Sequence, residues 1–242
     1  MILNLTDVMY KRQSIRKYNN QRLTDECMAS IRDFIDNSKV LNPDIKWSYE
    51  IVDSTGIKTI MNWKAPYYIH IYSQKRENYS ENIGFIFQQV DLYLQSNNIG
   101  SCWIGMAKPK EDMNDDNSQE YVISLAFGYS DGDIYRDINM INRKRLDEIS
   151  DKTDERLDVV RVAPSAMNSQ PWYFTHMDDG SYCIYRKRQN ILKRRLLDRL
   201  NKVDIGIALA HLYLANRDSF EFMIKDEHEV IDGYIYEGSF KI

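Results

Sequence analysis

Val162-Ala163-Pro164-Ser165-Ala166-Met167-Asn168-Ser169-Gln170-Pro171-Trp172 is the stretch on which the reading of this chain turns. Two prolines, two serine hydroxyls and two side-chain amides crowd into it, and a tryptophan closes the run. Short polar side chains of this kind bond backbone or ligand at close range. The loop therefore offers backbone N–H groups and amides to a flat, hydrogen-bonding ligand. An ordinary turn before a core tryptophan accounts less well for so dense a polar cluster between apolar elements.

Working outward, a helix is expected around 154–160, ahead of this loop. Strands are expected at Tyr173–His176 and Tyr182–Tyr185, a long helix from about Asp198 to Asn216, and a strand at Phe220–Ile224 before the tail. The first half reads in a similar order. Thr6 and Asp7 are candidate caps for a short helix through Tyr10. Thr24-Asp25-Glu26 opens a second helix, with Met28, Ile31, Phe34 and Ile35 at helical spacing. Tyr49–Val52 and Pro66–Tyr72 read as strands, Glu81–Asn97 as a long helix ending at Asn97-Asn98-Ile99-Gly100, and Ile123–Gly128 as a buried strand before an Asp131-Gly132 turn. The polar, acidic run Pro109–Glu120 reads as a surface loop or helix cap, not a linker.

The two long helices align. Asn82-Ile83-Gly84 matches Asp204-Ile205-Gly206, and Leu92-Tyr93-Leu94 matches Leu212-Tyr213-Leu214. Trp47 falls where Trp172 falls, so both matches imply an offset of roughly 120 to 125 residues. This pattern is read as a diverged internal duplication with halves 1–150 and 151–242. The fold class expected is α+β: antiparallel-rich sheets flanked by helices around a central pair of long helices.

Three further segments carry chemistry. In Arg12-Gln13-Ser14-Ile15-Arg16, an extended backbone points Arg12, Ser14 and Arg16 the same way, making a phosphate clamp; alone, the motif is weak and reads more readily as a basic surface segment. Gly100-Ser101-Cys102-Trp103-Ile104-Gly105 is read as a loop in which Gly100 permits left-handed geometry and Gly105 permits close approach to a planar ring. Cys102 there reads as a small buried hydrophobe, since no histidine motif accompanies it. Arg143-Lys144-Arg145 either completes a phosphate site or starts a solvated helix.

Composition excludes several classes. The net charge is −4, so no overall basic field argues for nucleic acid; clusters such as Arg186-Lys187-Arg188 are balanced by acidic residues elsewhere. Three cysteines, Cys27, Cys102 and Cys183, lack CxxC spacing, and the four histidines lack HxxxH spacing, so neither a disulfide framework nor a metal site is indicated. No apolar run approaches the roughly 20 residues of a membrane span, and the N-terminus lacks signal-peptide character. A cytoplasmic protein without membrane or nucleic-acid partners is expected. Neither GxGxxG after a strand nor a Walker A motif occurs, so a Rossmann grip on a dinucleotide is not indicated.

Taken together, the Arg12–Arg16 arm, the Gly100–Gly105 segment, the basic pair and the Pro164–Asn168 loop resemble the nitroreductase family of FMN flavoproteins, over about residues 8–217. In that family a two-fold dimer builds each FMN site from both subunits. Here the parts lie in the two halves of one chain, so the resemblance is to a fused, pseudo-dimeric branch: a monomer that mimics the dimer, with one FMN site. It implies that Arg12, Ser14, Arg143 and Lys144 hold the phosphate and ribityl chain. Arg16 would sit near the pyrimidine edge and favour the anionic reduced flavin, the electrostatic part of catalysis. Pro164, Ser165, Ala166, Asn168 and Gln170 would bond ring and side chain from across the interface, and Trp103, Ile104 and Gly105 would face the ring. Family members often carry Arg-Lys-Pro-Leu where this chain has Arg145, which leaves the register of Arg143 and Lys144 open. The activity implied is hydride transfer from NAD(P)H through FMN to a small-molecule electrophile such as a nitroaromatic or quinone. The alternatives are a non-catalytic flavin reservoir or redox sensor, and a degenerate member acting as an interaction module.

Overall fold

In a computed structural model, which describes residues 4–111, 118–137, 141–189 and 191–242, the first helix is capped by Asn4, whose side chain accepts the Thr6 N–H. The cap of α1 (Leu5–Lys11) thus lies just before the Thr6–Asp7 pair expected to provide it. α2 (Asp25–Asp36) starts where the sequence implies, with the Thr24 hydroxyl accepting the Cys27 N–H, and it buries Ile31 and Ile35. β1 (Trp47–Asp53), a short β2 (Ile57–Thr59) and β3 (Tyr67–Gln74) lead into the long helix α3 (Tyr79–Ser96). α3 ends as Asn98 takes a left-handed φ of 59°. β4 (Gly100–Ile104), a short β5 (Ala107–Pro109) and β6 (Gln119–Gly128) complete the first half. In the second, the single turn α4 (Asp158–Arg161) precedes the Pro164–Asn168 loop, followed by β7 (Trp172–His176), β8 (Tyr182–Lys187), α5 (Ile191–Ala215), β9 (Glu221–Met223) and β10 (Tyr234–Lys241).

Two antiparallel four-stranded sheets result, ordered β1-β3-β6-β4 and β7-β8-β10-β9. β2 and β5 form a separate two-stranded ribbon. In both sheets the long helix links the second strand to the third, and the fourth strand inserts between them. α3 and α5 pack against each other, and one apolar cluster runs across both halves, from Ile69, Phe87 and Leu125 through Ile207 and Leu209 to Phe174 and Phe240. The fold is the expected α+β arrangement around a central pair of long helices.

Three local expectations need correction. Gly100–Ile104 is a strand, not a loop, and Gly100 is not left-handed. Its lack of a side chain serves close packing, since an added Cβ would lie 2.8 Å from Ile15 Cγ2. α5 begins at Ile191, ahead of the Asp198 expected. The segment after β9 is not a tail: β10 fills the sheet interior, with a bulge between Tyr236 and Gly238 where Gly238 takes a φ of +151°. Part of the Pro109–Glu120 segment, residues 112–117, lies outside the described residues.

The α3–α5 contact is made backbone to backbone through two glycines. A Cβ at Gly84 would fall 2.1 Å from the Val203 carbonyl oxygen, and one at Gly206 would fall 1.9 Å from that of Glu81. Neither obstacle is a side chain that can rotate away. Gly206→Ala is expected to destabilise the protein by at least about 3 kcal/mol, the upper part of the overpacking range, read as a drop in the denaturant midpoint; an unchanged midpoint would contradict this packing.

Candidate functional site

The N-terminal arm is positioned by the end of α3. Past the C-cap Arg12 the chain extends, and Gln95 brackets it: Gln13 N–H donates to Gln95 Oε1 (3.2 Å), while Gln95 Nε2 donates to the Gln13 carbonyl (2.9 Å) and to Ser101 Oγ (3.0 Å). Ile15 N–H donates to the Ser101 carbonyl (2.9 Å) and the Ile15 side chain fills the space over Gly100, so the arm lies along β4. Arg12 is 1% exposed and pairs through Nε with Asp91 Oδ2 at 3.0 Å. Asp91 is itself held by Ser101 Oγ (2.6 Å) and Gln88 Nε2 (3.1 Å). Arg12 Nη2 is buried with no partner. An N–H stripped of water without a partner costs free energy and invites an acceptor.

The Ser165–Gln170 loop is strained. Met167, Asn168 and Gln170 hold positive φ of 54°, 54° and 43°, at about 1–3 kcal/mol each for non-glycine residues. α5 restrains it: Ala166 N–H donates to both Asp204 carboxyl oxygens (3.0 and 3.1 Å), and Asn201 Nδ2 donates to Ser169 Oγ (3.0 Å). Within the loop Gln170 N–H donates to Ser165 Oγ (2.9 Å).

The basic residues meet this loop. Arg143 Nη1 donates to Asn168 Oδ1, and Arg143 Nε is buried without a partner. Arg136 joins the arm through its own N–H to the Lys11 carbonyl (2.8 Å), and its guanidinium reaches the Tyr10 and Val162 carbonyls (each 3.3 Å). The guanidiniums of Arg12, Arg136 and Arg143 crowd one another. Burial first, then the neighbouring arginines, pull Arg136 down to about 10; burial, then Arg12, does the same to Arg143. Asp91 pairs with Arg12, and the guanidiniums of Arg136 and Arg143 add further positive charge beside it.

Two connected spaces form around these parts. One, of ≈ 390 Å³, is cationic, with Arg12, Ser14, Arg16, Arg136, Arg143 and Asn168 on its walls. The other, of ≈ 200 Å³, is mostly apolar. Trp103, Ile104 and Gly105 wall one side, and Leu200, Val203 and Ile207 of α5 wall another. Ser14, Arg16, Pro164, Ser165 and Met167 belong to both spaces, so Arg16 stands at the junction of the charged and apolar parts. Exposed Met106 and Met167, at 45% and 78%, rim the apolar part.

The family model described as "Putative TM nitroreductase" matches residues 4–216. The chain belongs to this nitroreductase family. A "putative nitroreductase" of known structure from Thermotoga maritima is 20% identical, with a TM-score of 0.64 over 99% of this chain and 93% of that one. A nitroreductase family protein from Clostridium difficile 630 is 15% identical, with a TM-score of 0.50 over 60% of this chain and 96% of that one. A nitroreductase with bound FMN from Desulfitobacterium hafniense DCB-2 is 13% identical, with a TM-score of 0.45 over 60% of this chain and 100% of that one. No curated protein matches the sequence.

In this member of the family the residues singled out from sequence mostly converge. Arg12, Ser14, Arg16, Trp103, Ile104, Gly105, Arg143, Pro164, Ser165, Ala166 and Asn168 all line one of the two spaces. Lys144 and Gln170 line neither; they brace each other below the loop. Lys144 Nζ donates to the Gln170 carbonyl (2.7 Å), and Lys144 N–H to Gln170 Oε1 (2.8 Å). Sequence reasoning missed Arg136, Asp204, Met61 and Trp63, all on the walls. Asp204 had a trace in the chain, a carboxylate at the head of the apolar run 205–210 and aligned with Asn82 of the matching segment. Cys102 is 2% exposed, and burial pushes its thiol up, as befits a packed hydrophobe.

Removing the counter-ion of the buried arginine tests the frame of the site. Asp91→Ala is expected to cost about 3–5 kcal/mol of folding stability, the range for breaking a buried pair. A loss under 1 kcal/mol, within the range of surface pairs, would show Arg12 to be solvated instead.

Proposed function

We propose that this chain binds FMN and works as an NAD(P)H-dependent oxidoreductase with an electrophilic small-molecule acceptor, such as a nitroaromatic or quinone. One observation carries the reading: a cationic cleft with buried, partnerless N–H groups on Arg12 and Arg143 shares five wall residues with a mostly apolar cavity. A phosphate monoester carries close to two negative charges near neutrality and several acceptor oxygens. It answers both the unpaired donors and the mutual repulsion of the three arginines. The apolar cavity suits a fused aromatic ring, and Ser14 and Ser165, on the walls of both spaces, are partners for a polyhydroxy chain. FMN, when bound, takes a hydride from the nicotinamide and passes it to the acceptor.

The protein's part is electrostatic and geometric. Arg16 places a fixed cation where the cleft meets the cavity and favours negative charge on the ring. The walls from β4 and α5 exclude water, and the methionine rim leaves one side open for donor and acceptor. The family membership and the matching strand orders of the two sheets support reading the halves 1–150 and 151–242 as one pseudo-dimeric unit. On that reading the protein is a monomer with one cofactor site, built from the first half's arm and β4 and the second half's loop. Among the described residues no helix is long and apolar enough to cross a membrane, and a cytoplasmic location is part of the same proposal.

Anaerobic titration of FMN-loaded protein with NADPH and with NADH tests the reading. Bleaching of the visible flavin band at about one equivalent per chain is expected. A bound flavin that neither nucleotide bleaches would instead indicate a flavin-holding protein. Arg143→Ala should weaken FMN binding about 10- to 100-fold, the loss of one charged hydrogen-bonding group. Failure of the wild type to bind FMN would overturn the proposal.

A further inference from the structure

Asp204 is a buried carboxyl in the wall of the apolar cavity, 4% exposed, two residues before Gly206 on α5. All its hydrogen bonds are accepted ones: from Ala166 N–H, shared between both oxygens (3.0 and 3.1 Å), and from Asn201 Nδ2 (2.8 Å). Two donors are few for a carboxylate that can accept about four. Among the described residues no cation forms an ion pair with it. Arg16 is the other charged side chain on the cavity wall, and the Ser165–Gln170 loop and the Trp103–Met106 wall carry none. On the faces of α3 and α5 nearest the crossing, Glu81 and Lys202 lie 3.8 Å apart, and Glu81 also faces Glu237. Arg199 of α5 acts on Tyr121. Burial raises Asp204 to about 7, against smaller opposing effects of Asn201 and Ala166.

The other half of the molecule shows what the clamp alone requires. Asn82 on α3, two residues before Gly84, accepts the backbone N–H groups of Leu41 and Asn42 through Oδ1 (2.9 and 3.0 Å). An amide oxygen suffices to pin a loop onto a long helix there. At the cavity, the corresponding residue is one that can carry or lose a proton.

We propose that Asp204 is a further cofactor-binding residue, a neutral carboxylic acid that pins the Ser165–Asn168 loop and offers its own O–H to an acceptor atom of the bound ring. This rests on the reading that the cavity takes the flavin. A ring filling the cavity strips away the remaining water, and an ionised Asp204 would then be a buried charge without a partner. Ring binding is therefore linked to protonation of Asp204. The sign follows from a raised folded pKa: the neutral form favours the folded, occupied state at low pH, and the advantage is lost as pH rises through about 7.

The test measures the FMN dissociation constant of the apoprotein by flavin fluorescence at pH 6 and pH 8, in wild type, Asp204→Asn and Asp204→Ala. The FMN phosphate also titrates near pH 6, equally in every variant, so the quantity to compare is the ratio of wild type to Asp204→Asn. Asp204→Asn keeps an acceptor for the loop and a donor for the ring and removes the titration. The wild-type constant should rise about tenfold relative to Asp204→Asn between the two pH values, with the two proteins alike at pH 6. Asp204→Ala should bind weakly at both. A ratio that does not change with pH, or Asp204→Ala binding as well as wild type, would overturn the role of Asp204 and leave the flavin reading intact. Wild type that binds no FMN at either pH would defeat the flavin reading, and this inference with it.

Discussion

The reciprocal contact of Gly84 and Gly206 is the constraint from which the site follows. Gly84 lies against the carbonyl of Val203, three residues before Gly206, and Gly206 lies against that of Glu81, three residues before Gly84. The crossing is therefore locally two-fold in character, and it brings the helix backbones into direct contact. From it α3 carries Gln88, Asp91 and Gln95 to the N-terminal arm and β4, while α5 carries Leu200, Asp204 and Ile207 to the cavity and the Ser165–Gln170 loop. His211 ties the same pair together: its Nδ1 lies 2.8 Å from the Val159 carbonyl oxygen and its Nε2 lies 3.3 Å from Gln88 Nε2. Burial drives this histidine down to about 3, so it is a neutral structural group. Spreading the helices would separate the arm from the loop, and with them the two sides of the cleft.

That rigid frame supports a site that is locally unfavourable. Three arginines repel one another, two of them with partnerless buried N–H groups, and three non-glycine residues hold left-handed backbone in one short loop. Local rules are broken where function is expected, and the surrounding core compensates. The strain and the repulsion meet where Arg143 bonds Asn168. The loop follows Pro164, whereas Arg12 of the arm, Arg136 and Arg143 all precede it in the chain.

Much of this was legible where the signal is local. The Arg12-Ser14-Arg16 spacing depends only on an extended backbone, and the density of small polar residues in Pro164–Gln170 needs no tertiary knowledge. Long-range features were not legible. Arg136 joins the site because its backbone pairs with Lys11, 125 positions earlier, and nothing around it in sequence marks that pairing. Gly100–Ile104 looked like a loop because glycines bracket it, yet Gly100 is there to admit Ile15 of the arm. β10 was hidden by Glu237 and Gly238 in its middle. In the fold Glu237 is buried against Arg186, and Gly238 forms a bulge, so both irregularities have tertiary causes. Between Arg143 and Lys144 the sequence offered no way to choose, and the structure divides them. Arg143 faces the cleft, and Lys144 braces the backbone below it.

The approximate symmetry sharpens the case for one site per chain. On the other side of the helix pair the Lys39–Pro43 segment, pinned by Asn82 and Gln89, borders a second space of ≈ 520 Å³. Its walls include Phe85, Phe220 and Phe222, with Lys39 and Glu221 as the charged residues, and no arginine. Phe220 stacks on Phe85 and on Phe240, so aromatic side chains occupy the helix–sheet junction on that side. That space offers an aromatic surface and one basic residue, Lys39, against four arginines on the walls of the cationic space. Two halves with the same strand order thus divide the work unequally. One junction keeps a space walled largely by aromatic and aliphatic side chains. The other keeps a cavity, a crowded cluster of arginines and a protonatable carboxyl, which are the features that the proposed flavin would engage.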